Sequence, residues 1–150
     1  MATTYGVNGI TYAATQPSET GANVLDDYEE GEWTPTLSGA TVGTALGKYV
    51  KIGKLYQFQG RIYWTGGGGS AIVGGLPFTQ PSGGNHHHGM SVVPYVDSGF
   101  IAPPSGKGYI LGYLSSDSTN INWRWQPNTI TATTVVAGGD LYFEGSTQTE

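Results

Sequence analysis

"GKYVKIGKLYQFQGRIYWT", residues 47–65, alternates along most of its length. Tyr56, Phe58, Ile62 and Trp64 share one parity with Gly60, while Leu55, Gln57, Gln59, Arg61 and Tyr63 hold the other. Successive side chains of a strand point to opposite faces, so this pattern predicts a half-buried strand with a polar outer face. Gly60 breaks the apolar series where a neighbour approaches closely. Upstream, residues 47–52 form a second strand, and Gly53 supplies the positive φ of a tight hairpin turn between the two.

Outward from this hairpin the same signals repeat. "NINWRWQ", residues 120–126, sends Ile121, Trp123 and Trp125 one way and Asn122, Arg124 and Gln126 the other. Further strands are predicted at 71–74, 90–96, 107–114, 130–136 and 140–145. Turn chemistry separates them: "GGGGS" at 66–70, "PSGGN" at 81–85, "APPSG" at 102–106, "SSDSTN" at 115–120 and "AGG" at 137–139. No window carries three turns of helical periodicity without a Gly or Pro. About eight short strands at fairly regular spacing predict an all-β fold, an antiparallel, jelly-roll-like β-sandwich over residues 25–150. Residues 1–24 are polar and poor in large apolar groups. They read as an extended N-terminal docking arm with Tyr5, Val7, Ile10 and Tyr12 as its apolar anchors, and "YGVNGITY" can add a strand to a partner's sheet edge.

Composition narrows the function. Of 150 residues only 11% are charged, against roughly 25% in a typical soluble domain, while glycine numbers 25. The net charge is −5 and the six Lys and Arg are scattered, so nucleic acid is not an expected partner. No stretch approaches the roughly 18 apolar residues of a membrane span. Cysteine is absent, which removes disulfides and thiolate metal sites. A Cys-free, Gly-rich chain of this size is expected to gain stability by self-association.

Nearly half of the acidic residues stand in "LDDYEEGEWTPTL", residues 25–37: Asp26, Asp27, Glu29, Glu30 and Glu32. They do not follow the Asp-x-Asp-x-Asp-Gly spacing of a calcium loop. A solvated collar or subunit contact between arm and domain is the expected role, with Leu25 and Tyr28 packing while the carboxylates face water. This run, followed by "GKYVKIGKLYQFQGRI" and "VGGLPF", resembles the module at the C-terminal end of many tailed-bacteriophage tail-fibre and related virion proteins. The likeness covers about residues 9–80. It implies a non-enzymatic virion component, commonly a homotrimer, on the particle exterior, with exposed loops for host-surface recognition and other virion proteins as partners. Two expectations follow: a tail-associated adhesin for host glycan or protein, or a capsid decoration protein that stabilises the head. The missing shaft leans toward decoration and the resemblance leans toward the tail; a tail-fibre-type module is the first expectation and capsid decoration the alternative.

Candidate sites are few. In "NHHHG", His86 and His88 can share one side of an extended chain. A three-fold axis would gather six such imidazoles, enough for an octahedral transition metal, although a solvated loop is the simpler reading. Trp123, Trp125 and Tyr63 can form a carbohydrate platform, but two tryptophans of one parity read first as core or interface. Tyr95, Phe100 and Tyr109, around the Ser- and Gly-rich stretch 97–108, have the composition of an adaptable binding loop and form the candidate receptor-facing site. No nucleophile elbow, paired-carboxylate spacing or phosphate-binding loop is present. No catalytic residue, cofactor or enzymatic activity is therefore expected.

Overall fold

A computed structural model describes residues 4–6, 9–11, 28–82, 88–100, 109–126, 131–132 and 134–149. Among them there is no helix. Thirteen strands are formed: β1 (Thr4–Gly6), β2 (Gly9–Thr11), β3 (Tyr28–Trp33), β4 (Thr36–Leu37), β5 (Ala40–Ile52), β6 (Leu55–Gly67), β7 (Gly69–Ser70), β8 (Ile72–Gly74), β9 (His88–Phe100), β10 (Tyr109–Leu114), β11 (Ile121–Gln126), β12 (Thr131–Ala132) and β13 (Thr134–Gln148).

Two antiparallel leaves pack against each other as a β-sandwich. The first runs β3-β5-β6-β13 and continues into β9; the second runs from β9 through β10, β11 and β8 to β4. β9 belongs to both, because residues 93–100 pair with β13 while Val92 and His88 pair with β10. Strands β9, β10 and β11 are sequential neighbours, and β13 returns to lie beside β9. That order is a Greek key. Thr34 and Pro35 carry the chain from β3 in one leaf to β4 in the other.

The alternation read in residues 55–65 is the alternation observed. Tyr56, Phe58, Ile62 and Trp64 are buried, and they join Leu141 and Phe143 of β13 with Leu114, Ile121 and Trp123 of the second leaf. Phe143 is the joint between leaves: its ring meets Trp123 edge-on at 6.2 Å and Trp33 at 6.1 Å. Each such large apolar side chain contributes on the order of 1.5–3 kcal/mol on burial. Gly60 faces Phe143 across the β6–β13 ladder. A Cβ there would lie 2.4 Å from Phe143 Cζ, so only glycine lets that ring settle.

The β5–β6 hairpin closes at Gly53, whose φ is +56°, with Ile52 paired to Leu55. A positive φ at the first of two loop residues matches the strand twist. Phe78 of the Gly-Leu-Pro-Phe corner packs edge-on against Tyr49 at 5.4 Å and Tyr56 at 5.2 Å, pinning that loop to the sandwich.

Several predicted boundaries shift. The acids at 29–32 belong to β3 and do not precede the first domain strand. "AGG" at 137–139 is no turn: it lies within β13, where the register with β9 slips and Gly138 takes φ +98°. A bulge absorbs the extra residues and the ladder resumes, so two predicted strands are one. "GGGGS" is only partly a connector, since β6 extends to Gly67 and Gly69–Ser70 pairs with β13. In the N-terminal segment, Thr4–Gly6 and Gly9–Thr11 pair with each other as a hairpin, opposing Tyr5 to Ile10, where a single extended strand was expected. Val7 and Tyr12 lie outside the described residues.

Candidate functional site

The outward side chains of the first leaf form one surface, laid out by the ladder register. Across β3, β5, β6 and β13 the rows read Glu32–Lys48–Gln59–Glu144 and Glu30–Val50–Gln57–Ser146. Flanking rows are Leu46–Arg61–Tyr142 on one side and Tyr28–Ile52–Leu55–Gln148 on the other. The central polar rows line an open groove of about 540 Å³. A second depression adjoins it, sharing Glu32, Lys48 and Gln59 and reaching Arg61 and Tyr142.

Most of the exposed large apolar side chains among the described residues lie on this face, including Leu46, Leu55, Tyr28, Tyr63 and Tyr142. They gather there because the opposite parity of the same strands fills the core. Arg61 and Asp140 fix one end of the face. The guanidinium makes two hydrogen bonds to the carboxylate, at 2.6 and 3.1 Å, and lies 5.0 Å from the centre of the Tyr142 ring. The Arg61 hydrogen bonds hold the Asp140 carboxyl below its ordinary range, against a smaller opposing effect of burial.

At the other end the polar contacts turn inward. Tyr49 Oη donates to Glu29 Oε1 at 2.6 Å. That bond, with burial, pushes the Tyr49 phenol up to about 12. Burial also raises Tyr56, whose hydroxyl, like Gln80 Nε2 nearby in the sandwich interior, is enclosed with no hydrogen-bond partner among the described residues. Gln80 Oε1 accepts from the Thr147 hydroxyl. This interior cluster sits beside Phe78 and the loop at 75–80.

The sequence-nominated residues scatter. Glu30 and Glu32 face solvent as a collar would, and so does much of Tyr28. It is 45% exposed and donates to Glu30, because β3 turns Gly31 and Trp33, not Tyr28, toward the core. Asp26, Asp27 and Leu25 lie outside the described residues. The Trp123/Trp125/Tyr63 platform does not form: Trp123 is core, whereas Tyr63 stands on the outer face of the other leaf. His86 lies outside the described residues, and His88 opens β9 opposite Leu114. Tyr95 and Phe100 belong to β9, opposite Tyr142 and Val135, so 97–100 is strand rather than loop; 101–108 lies outside the described residues. Tyr109 opens β10, 54% exposed and opposite Gln126.

Among the described residues no group of three or more His, Asp or Glu could hold a metal ion. The groove itself escaped sequence reasoning, although the polar parity of residues 55–63 was its visible half. The fold defines an antiparallel β-sandwich protein. No protein family matches the chain, and comparisons with curated proteins and with solved structures likewise return no match.

Proposed function

We propose that this chain is a non-enzymatic structural component of a bacteriophage particle. It is a homotrimeric β module of tail-fibre type, carried on the particle exterior by its N-terminal segment, with a surface turned to the host. One observation supports this above the rest. Within residues 28–80, the described segments that carry the tail-fibre resemblance pack against one another. Tyr28–Trp33 pairs with residues 47–52, the Gly53 turn leads into β6, and the Gly-Leu-Pro-Phe corner returns Phe78 onto Tyr49 and Tyr56 of that hairpin.

Immunogold labelling of purified particles, with copy number from quantitative mass spectrometry, tests the placement. A handful of copies at the tail is the expected result. Hundreds of copies over the head would replace it with capsid decoration, and absence from particles would end the virion reading. Light scattering on the purified chain should return three times 15.8 kDa; a stable monomer would remove the trimer.

A further inference from the structure

We propose that copies of this chain associate through one end of the first leaf, the end without charged residues, with Val42, Leu46, Tyr63 and Val136 at the contact. The inference rests on the self-association in the proposed function and names the surface that makes it.

The first leaf is divided along its length. At the hairpin end, β3 brings Glu29, Glu30 and Glu32 alongside Lys48 and Lys51 of β5, with Lys54 in the turn and Glu144 on β13. Toward the other end, residues 33–47, 62–70 and 134–139 contain no Asp, Glu, Lys or Arg. Arg61 and Asp140 mark the border, and they neutralise each other across 2.6 Å. Exposed apolar side chains gather beyond that border: Leu46, 63% exposed, with Val42, Tyr63 and Val136. The ladder sets Thr44 opposite Tyr63 and Leu46 opposite Arg61, so β5 and β6 carry these groups side by side. Val136 is beside them, its carbonyl accepting the Trp64 indole N–H. Apolar side chains with a tyrosine and no unpaired charge have the composition of the centre of a protein–protein interface.

An open sheet edge lies at the same end. β3 covers β5 over 47–52, and among the described residues no strand pairs with 42–46 on the side away from β6. The open edge of β3 carries three glutamates, which deter pairing with another chain. The 42–46 segment has neither charge nor proline, and its register slips at 42–44. Such a bulge bends the edge away from continuous pairing, so side chains, rather than an added strand, make the contact. Charge argues that the occupant is a second copy. Each chain carries −5, and like net charge holds copies apart. This end lets them meet without setting carboxylate against carboxylate. A second apolar row, Tyr28–Ile52–Leu55, lies at the opposite end. There Glu30 and Lys54 are exposed, and burying them would strip both ions of water.

The test is sedimentation equilibrium of the purified full chain. The wild type is expected to associate. Leu46→Lys and Val42→Lys, each placing an unpaired cation in the contact, should each weaken association about tenfold or more. Leu55→Lys adds the same charge at an exposed leucine of the opposite end and should leave association unchanged. Near-UV circular dichroism monitors the fold, and because Leu46 is largely in solvent, Leu46→Lys serves even if Val42→Lys, beside the bulge, unfolds. Association undiminished by Leu46→Lys, or lost in Leu55→Lys while Leu46→Lys keeps it, overturns the inference and leaves the oligomer standing. A wild type that stays monomeric would instead remove self-association itself, and this inference with it.

Discussion

On β6, the inward residues Tyr56, Phe58, Ile62 and Trp64 are at most 1% exposed, while on the outward side Leu55 and Tyr63 are 55% and 42% exposed. The two faces share one backbone, one set of hydrogen bonds and one register. They differ in what a substitution must displace. Inside, every atom has close-packed neighbours and any change of volume is felt. Outside, side chains meet water and each other's tips, and chemistry is free to vary. Stability belongs to the inner face.

The sharpest way to break that division is Trp64→Ala. It opens a cavity and also removes the indole N–H that donates to the Val136 carbonyl at 3.0 Å. A loss of about 3–5 kcal/mol is expected from chemical denaturation, enough to unfold a marginal domain. If Trp64→Ala were nearly neutral, the inner face would not be the core.

A smaller effect separates glycines by their surroundings. Gly60→Ala drives a methyl against Phe143, and Gly47→Ala drives one to 2.2 Å from Trp33 Nε1. Each should cost about 1–3 kcal/mol through forced repacking. Gly68, with nothing within 4 Å of its would-be Cβ, should accept alanine without loss. Equal denaturation midpoints for all three variants would contradict the packing described.

Two pH limbs sharpen the comparison further. Tyr49 is raised from 10.0 to about 12, chiefly by its bond to Glu29. Its contribution is whole below pH 10 and fades as pH climbs toward 12, because the unfolded phenol ionises first. Tyr49→Phe should flatten that alkaline limb, and the difference in phenolate absorbance between the two proteins should appear near pH 12 rather than near 10. Asp140 behaves oppositely. Held below its ordinary 3.8 by Arg61, it stabilises the fold above that value and loses the contribution as acid protonates the folded carboxylate. Asp140→Asn should give the smallest change of the set, limited to the acid limb and weakened by salt, since the bridge is partly open to solvent. An Asp140→Asn effect as large as that of Trp64→Ala would erase the distinction between the faces.

How far the sequence could be read follows the range of the forces involved. Alternation at 55–64, the turn at Gly53 and the Phe78 anchor are local, and each could be stated from neighbours within a few residues. Glycine permits both a turn and a bulge, so residues 137–139 read as a turn from the sequence alone. Partners distant in sequence, β6, β7 and β9, show the ladder continuing. Tyr28 was assigned to packing on its aromatic character, while the parity set by Trp33 turns it outward.

From its own residues the chain determined an all-β sandwich, its principal hairpin, and which parity of β6 is buried. These depend on backbone preference and two-residue periodicity, which act along the chain. The tertiary structure alone decided that the outer residues of β3, β5, β6 and β13 converge on one groove and that Arg61 meets Asp140 across 79 positions. It also decided that Trp123 belongs to the core rather than to a binding platform. Such facts depend on strand order, and strand order is chosen by the packing of two leaves against each other, a property no single segment carries.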